Sequence, residues 1–425
     1  MEINKKTVGI IGLGYVGLPL FINFSKKFNV IGFDKSKNKV ELINKGISYL
    51  SHIDNSELKN IANNHESYST TDFKELNNVD IIIICVPTPI TKNREPDLSY
   101  VKSVMDDICK HMRKGQIISL ESTTYPGTTE EIIMSRVINC GFKPGEDIYI
   151  SYSPEREDPG NSFAMEDIPK IIGGITKECA KKTNELYSQV FNKTVLVDSV
   201  KIAELSKLLE NIHRAVNIGM INEFKIICDA MHIDPFEVIN AAATKPFGFV
   251  PYYPGPGWGG HCIPVDPFYL SWKAKEFGLS SRFIELSGEL NYITQEWVIS
   301  KISNVLNNIQ KSIANSKILI LGIAYKPNVD DARESPSLKI MSDLISKKAD
   351  VDFSDPFFNE FPRTRKYNFE KTSINITPEN IEKYDLVVVL TNHNQYDFNL
   401  IKKHARLIVD TRGVYTPDNN KIFRA

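Results

Sequence analysis

The chain lacks any paired-cysteine pattern. Its six cysteines, Cys85, Cys109, Cys140, Cys179, Cys228 and Cys262, stand singly, with no CxxC in 425 residues. That spacing argues against a disulfide framework or a cysteine-built zinc site and fits a reducing cytoplasm. A surplus of one charge is also lacking: 51 Lys and Arg stand against 52 Asp and Glu, a net charge of −1. Neither nucleic acid nor an anionic membrane is therefore an expected partner. No apolar run reaches the roughly 18 residues that a membrane span needs. The start, MEINKKTVGIIGLG, passes from polar residues straight into a strand pattern, without the apolar core of a signal peptide. No His, Cys, Asp or Glu cluster suggests a metal, and no short-period repeat appears.

What is present is an ordinary globular composition, 42% hydrophobic and 24% charged, in a length that suggests two or three domains. In the first part, strand-like runs (TVGIIGLG, NVIGFD, VDIIIICVPTP, QIISLEST, DIYISYSP, TVLVD) alternate with helical segments such as PDLSYVKSVMDDICKHM. Several runs are apolar at consecutive positions, as strands covered on both faces should be. Strand–helix alternation implies right-handed crossovers and a parallel sheet. From about residue 199 to 300 the spacing turns helical, beginning with SVKIAELSKLLENIHRAVNIGMINEFKIICDAMHI. After about 316 alternation resumes in KILILGIAY, ADVDFSDP, YDLVVVLTNH and RLIVDTRG. The expected fold is α/β: two Rossmann-like doubly wound domains joined by a central long-helix region.

Gly12-Leu13-Gly14-Tyr15-Val16-Gly17 follows a strand pattern and opens a helix. Its first glycine permits a tight turn, its second lets a pyrophosphate approach the backbone, and its third allows close helix–strand packing. Asp34 ends the next strand, twenty residues after Gly14, where a carboxylate binds a ribose diol and repels a 2′-phosphate. NAD is the expected cofactor.

The stretch GPGWGGHCIPVDP, 255–267, places Gly259 and Gly260 just before Cys262, with Asp266 four residues on. The residues alone leave two readings open, a core thiol or a nucleophile whose glycine approach lets backbone lie against a flat ring. His261 reads as packing near the site, and His213 and His232 as structural. In AELSKLLEN, Lys207 and Asn211 lie one helical turn apart and share a face. They are either a pair that holds an oxyanion or two solvated residues, with Leu205, Leu208, Leu209 and Ile212 as the packed side.

Together these pieces resemble the nucleotide-sugar 6-dehydrogenases, the family of UDP-glucose dehydrogenase and its UDP-N-acetylhexosamine relatives. The matching residues are GLGYVG at 12–17, VPTP at 86–89, SPE at 153–155, AELSKLLEN at 203–211, GWGGHCIPVDP at 257–267 and GIAYKPNVDDARES at 322–335. They run in the family's order over nearly the whole chain. The resemblance implies an NAD-binding domain at 1–198, a central helical dimerisation region with the cysteine loop at 199–300, and a UDP-sugar-binding domain at 301–425. It implies a cytoplasmic homodimer or larger homo-oligomer. Catalysis would fall to Cys262, through a thiohemiacetal and a thioester. Lys207 and Asn211 would hold the oxyanion and water, Asp266 would support them, and Glu155 would act in thioester hydrolysis. Thr123 or Thr124 would order the water, Thr123 being preferred. Cofactor contacts would come from Gly12, Gly14, Tyr15, Val16, Gly17, Asp34, Pro87, Thr88 and Arg333. Substrate contacts would come from Glu155, Arg156, Lys207, Asn211, Tyr253, Gly259, Lys326 and Arg412.

Two departures concern the sugar. The UDP-glucose enzymes carry an arginine upstream of the cysteine, whereas AAATKPFGFVPYYPGPG offers only Lys245 as a cation. After Glu155 the chain reads Arg156-Glu157-Asp158-Pro159-Gly160, without the second glutamate of those enzymes. Both favour a UDP-N-acetylhexosamine, UDP-N-acetylglucosamine before its 2-epimer UDP-N-acetylmannosamine, over UDP-glucose. A two-electron hydroxyacid dehydrogenase would need neither Cys262 nor a second α/β unit. A catalytically silent nucleotide-sugar binding protein would have no use for the full set of Glu155, Lys207, Asn211, Cys262 and Asp266.

Overall fold

The computed structural model describes residues 6–50, 53–64, 66–91, 93–157, 163–364 and 366–425. The chain forms two compact units, Met1–Glu210 with Phe268–Leu279, and Asn211–Pro267 with Ser280–Ala425. The first unit is built on strands β1 (Thr7–Ile11), β2 (Asn29–Phe33), β3 (Tyr68–Thr70), β4 (Ile81–Ile84), β5 (Ile117–Leu120), β6 (Tyr149–Tyr152), β7 (Lys170–Gly174) and β8 (Thr194–Val197). They lie in the order β3-β2-β1-β4-β5-β6-β7-β8. Helices α1 (Gly17–Ser25), α2 (Lys37–Asn44), α3 (Asn55–Asn64), α4 (Ser99–His111), α5 (Ser135–Asn139) and α6 (Lys177–Tyr187) connect them. Every residue of β4 and β5 is buried, which is why β4 is isoleucine throughout and β5 has Ser119 as its single polar residue, without alternation. Helix α4 buries Val101, Val104, Met105 and Ile108, the three- and four-residue spacing of one helical stripe. The core gathers Val8, Ile10, Leu18, Phe21, Phe24, Ile81, Ile83 and Tyr187 between sheet and helices.

One expectation fails in this sheet. Strand β7 runs antiparallel to β6, pairing Ser151 with Gly174 and Tyr152 with Gly173, so alternation does not yield an all-parallel sheet. Among the described residues between β6 and β7 only a turn of 3₁₀ helix at Met165–Asp167 forms, with no helix long enough for a crossover.

Helix α7 (Val200–Ala230) carries the chain from the first unit into the second, which adds α8 (Pro235–Ala243). Helix α9 (Asp266–Ala274) returns the chain to the first unit, and α10 (Arg282–Asn307) lies in the second. There, β9 (Lys317–Leu321), β10 (Asp350–Ser354), β11 (Leu386–Val389), β12 (Ile408–Asp410) and β13 (Ile422–Arg424) form a wholly parallel sheet in the order β10-β9-β11-β12-β13. Helices α11 (Pro336–Ser346), α12 (Pro378–Ile381) and α13 (Phe398–His404) connect it. The fold is thus α/β with two Rossmann-like sheets and a long central helix. The two sheets open alike. Gly12 N donates to Phe33 O (2.8 Å) and Gly322 N to Ser354 O (2.9 Å), each fixing the turn after a first strand.

The packed side of α7 also differs from expectation. Leu208 is wholly buried, but Leu205 and Leu209 are 41% and 64% exposed, whereas Glu204, Lys207 and Asn211 are buried. These three polar residues of the helix face inward.

Candidate active site

In the first unit, Gly12 has φ +92°, and a Cβ there would lie 2.7 Å from Cys85 O. A Cβ on Gly17 would lie 1.9 Å from Gly12 O, so the helix packs on the turn as only glycine permits. Around Gly14 nothing described lies within 4 Å of such an atom, leaving the open approach that a pyrophosphate needs above a helix N-terminus. Asp34 stands at this turn: its Oδ2 accepts Leu13 N (3.0 Å) and its Oδ1 accepts Ser36 N (2.9 Å). Lys39 Nζ lies 3.4 Å from Asp34 Oδ2, and the Tyr49 hydroxyl donates to Leu13 O. Tyr15 and Val16 pack half-buried against the core. These residues fit a dinucleotide.

The loops after β4 and β5 are tied together, because Thr88 Oγ1 donates to Thr123 O at 2.6 Å. Pro87 is exposed, Thr88 buried and Thr123 half-buried. Thr124 is fully buried, and its hydroxyl has no partner among the described residues. Tyr269 of α9, which the sequence did not single out, donates its hydroxyl to Thr88 O.

Glu155 lies just past β6, buried. Its Oε1 accepts Arg156 N (2.7 Å) and Glu157 N (2.9 Å), and its Oε2 meets Lys170 Nζ at 2.8 Å. Arg156 reaches Pro169 O (2.9 Å) and Glu210 Oε1 (2.7 Å), so it ties this loop to α7 one turn beyond Lys207. Its buried Nε has no hydrogen-bond partner among the described residues. Asp158, Pro159 and Gly160 lie outside the described residues. On α7, Glu204 accepts Gly127 N (2.6 Å), Thr129 N (2.9 Å) and Thr129 Oγ1 (2.7 Å). It thereby caps the helical segment that begins at Thr129 and sets the rotation that buries Lys207.

In the second unit, Cys262 O accepts Val265 N (3.0 Å) and Asp266 N (2.8 Å), a turn that hands the chain to α9. The cysteine is half-buried and His261 is exposed. Asn211 Nδ2 donates to Asp266 Oδ2 at 2.6 Å. The glycines before the cysteine have neighbours in the same unit. A Cβ on Gly259 would lie 2.8 Å from Glu334 O and from Tyr325 Cβ. One on Gly260, at φ +88°, would lie 3.0 Å from the Tyr325 ring. Gly260 N donates to Arg333 O (2.9 Å). Close approach to the 325–335 loop thus accounts for these glycines without a cofactor.

Arg333 forms a fork with Asp331, at 3.0 Å through Nε and 2.6 Å through Nη2, and Lys326 Nζ lies 5.7 Å from the Tyr325 ring centroid. Arg412 donates through Nε to Leu390 O (2.7 Å), while its buried Nη2 has no hydrogen-bond partner among the described residues. An unsatisfied guanidinium N–H is a ready donor to an anionic or carbonyl oxygen of a ligand. Tyr253 is half exposed and donates to Asn240 Oδ1 (2.8 Å). Gly255 abuts Arg412 and is held at both ends: its N donates to Asn222 Oδ1 (3.0 Å), and its O accepts Lys225 Nζ (2.9 Å). Burial, then the Arg412 charge, pull Lys225 down from 10.5 to about 7. No motif announced this lysine; it sits in a run of apolar helical residues. Among the described residues no group of His, Cys, Asp and Glu could hold a metal ion.

The glycine turn and Asp34 of the first unit fit the dinucleotide of a nicotinamide-dependent dehydrogenase. Residues 6–191 match the NAD binding domain of the UDP-glucose/GDP-mannose dehydrogenase family, 201–292 its central domain and 319–417 its UDP binding domain. The chain belongs to that family and is an NAD-dependent nucleotide-sugar dehydrogenase. It is 33% identical to a UDP-N-acetyl-D-glucosamine 6-dehydrogenase of Pseudomonas aeruginosa over 392 residues, 92% of this chain and 91% of that protein. It is also 33% identical to a UDP-N-acetyl-D-mannosamine dehydrogenase of Campylobacter jejuni, covering 93% of this chain and 97% of that one. A solved UDP-D-ManNAc dehydrogenase from Pyrococcus horikoshii superposes with a TM-score of 0.88 at 28% identity, over 98% of each chain. No helix among the described residues is long and apolar enough to cross a membrane.

Proposed function

We propose that the protein oxidises the C6 hydroxyl of a UDP-N-acetylhexosamine to the carboxylate, with UDP-N-acetylglucosamine preferred to UDP-N-acetylmannosamine. The product would be a uronic acid precursor of surface polysaccharide. The carrying observation is the linkage within one compact unit of a half-buried thiol, a carboxylate and an amide. Cys262 turns directly into Asp266, and Asp266 fixes Asn211 at 2.6 Å.

NAD supplies the hydride acceptor, one for each of two oxidations. The chain's residues supply the rest. After the first oxidation the aldehyde carbon has no alcohol left to oxidise. Cys262 Sγ forms a bond to that carbon, and the aldehyde oxygen takes a proton to become a hydroxyl. This thiohemiacetal keeps one C–H and one O–H, the pair that the second oxidation removes. The resulting thioester is opened by water: the C–S bond breaks, the acid leaves and the thiol returns. Lys207 and the Asn211 amide donate to the oxyanion, because a cation and a preorganised N–H are the donors that such a charge needs. Asp266 orients the amide. Glu155, held as a carboxylate by two backbone N–H groups and Lys170, accepts the proton of the attacking water. Thr123 orders that water. The unsatisfied Arg412 N–H, Lys326 and Tyr253 serve the nucleotide sugar, and Arg333 the cofactor.

The sugar assignment rests on the absence of an arginine in 241–257 and on the Arg156 that follows Glu155. The names of the relatives, which include dehydrogenases of both epimers and NDP-N-acetyl-D-galactosaminuronic acid dehydrogenases, support the N-acetylhexosamine class. Three further assignments belong to this reading: the domains 1–198, 199–300 and 301–425, a cytoplasmic location, and a homodimer or larger assembly. The exposed Leu205, Leu209, Met220 and Ile227 on α7 support an interface on the central helices. NADH release measured with UDP-N-acetylglucosamine, UDP-N-acetylmannosamine and UDP-glucose tests the function. A higher kcat/KM for either N-acetylated sugar is expected, and a clear win for UDP-glucose overturns the assignment.

A further inference from the structure

Lys170 opens β7, the strand that reverses the sheet. Strands β1, β2, β4, β5 and β6 run parallel, so the loops bearing Gly12, Thr88, Thr123 and Glu155 all leave one edge. A further parallel strand would begin at the opposite edge. Because β7 is antiparallel, its first residue arrives where those loops depart. The β6–β7 register pairs Tyr152 with Gly173; continued by three residues, it sets Glu155 opposite Lys170.

The side chains complete that placement. Lys170 Nζ lies 2.8 Å from Glu155 Oε2 and 2.5 Å from Glu121 Oε2, and all three residues are buried. Tyr187 of α6 donates to Glu121 Oε1, and the Phe191 ring lies 5.1 Å from the ammonium. Cys85, just past β4, is a further titratable group beside the cluster, with Tyr187. A buried ion triad is usually no more stabilising than apolar packing of the same volume, so its presence here calls for a use beyond stability. The geometry offers one. Glu155 Oε1 is occupied by two backbone N–H groups; Lys170 takes one lone pair of Oε2 and leaves the other.

We propose that Lys170, anchored by Glu121, is the positioning residue for Glu155, holding its carboxylate as an anion in one rotamer for the hydrolytic half of the reaction. The inference rests on the reading of Glu155 as the residue that activates water. The charge balance is consistent with it. Burial works against all three charges. The Lys170 charge nonetheless holds Glu155 below its ordinary value, and the two carboxylates hold Lys170 above its own. Burial pushes Glu121 up to about 7. A proton entering the cluster near neutral pH therefore goes to Glu121 and spares Glu155.

The test uses the full chain with NAD and whichever UDP-N-acetylhexosamine turns over faster. Lys170→Met is expected to keep the pre-steady-state NADH burst and both KM values within about twofold. Its steady-state rate is expected to fall roughly tenfold or more, with the acyl-enzyme visible by intact mass and the acid limb of the rate profile moved to higher pH. Lys170→Arg restores most of the rate. Glu155→Gln is measured alongside, and the double variant is expected to be no slower than Glu155→Gln alone. A wild-type rate in Glu155→Gln overturns the underlying reading. A slow Glu155→Gln beside a Lys170→Met with wild-type rate and pH profile overturns this inference alone. If Lys170→Met does not fold, Glu121→Gln serves: leaving Lys170 to Glu155 alone should move the acid limb to lower pH, and an unmoved limb overturns the proposal.

Discussion

The Asn211 amide donates to the Asp266 carboxylate across 2.6 Å, and both residues are almost wholly buried. A donor from α7 and an acceptor at the head of α9 thus meet four residues beyond Cys262. Asp266→Ala removes the acceptor and leaves a buried amide N–H to be desolvated, a cost of about 1–3 kcal/mol. Urea midpoints should fall accordingly, and kcat should fall with them because the amide loses its orientation. An unchanged midpoint and rate would show the bond to be incidental.

Asp34 decides the cofactor. On the proposed reading the Asp34 carboxylate, fixed by Leu13 N and Ser36 N, would repel a 2′-phosphate, and about 1.4 kcal/mol of repulsion already gives a tenfold preference. NAD should therefore exceed NADP by at least roughly tenfold in kcat/KM. Asp34→Ala should narrow the gap, and Lys39, whose ammonium lies 3.4 Å from Asp34, becomes the nearest cation for the phosphate. Equal kcat/KM for the two cofactors in the wild type would refute the assignment.

Gly255 leaves no room for a side chain, since a Cβ there would lie 2.5 Å from Arg412 Nη1. Gly255→Ala should displace the guanidinium, whose Nε is anchored on Leu390 O. Loss of a charged hydrogen bond, about 1.5–3 kcal/mol, should raise KM for the UDP-sugar roughly tenfold or more while leaving KM for NAD unchanged. Equal effects on the two KM values would remove Arg412 from the substrate site.

Lys225 makes stability depend on pH. Its folded value is about 7 against 10.5 for an ordinary lysine, so between these the unfolded chain binds the proton and the folded chain does not. The group's contribution is complete above about 10.5 and is lost as pH falls towards about 7. The stability gap between wild type and Lys225→Met should therefore widen in favour of wild type from pH 7.5 to pH 10, read from urea melts. A gap that stays constant would mean that Lys225 is charged in the folded protein.

The sequence made legible whatever is local. Strands β1, β4 and β9 announce themselves as apolar runs, and Gly12–Gly17 with Asp34 as a spaced motif, because their physical causes lie within thirty residues. Strands β3 and β13 did not, being three residues each, and β7 did not, though it is as long as β1, because only Ile171 and Ile172 of its five residues are large and apolar. The reversal of β7 follows from how the segment after Glu155 returns to the sheet, which no periodicity encodes. Lys170, Glu121 and Glu204 escaped for a related reason: each looks like a surface charge until distant elements close over it. The leucines of α7 divide between buried Leu208 and exposed Leu205 and Leu209, a rotation that the distant Gly127–Thr129 contact with Glu204 accompanies and no local spacing encodes. Gly260 meets the Tyr325 ring and Gly259 the Glu334 carbonyl, contacts with a loop distant in sequence that no local spacing encodes.

The central claim, covalent catalysis by Cys262, is tested most directly by the steady-state rate of acid formation in Cys262→Ala. Wild type should yield two NADH and one acid per sugar, with little free aldehyde. Cys262→Ala should still bind NAD, whose site depends on the Gly12–Gly17 turn. It should form acid about three orders of magnitude more slowly or worse, as losses of covalent nucleophiles generally do. Acid formation by Cys262→Ala at near the wild-type rate would contradict the thioester mechanism.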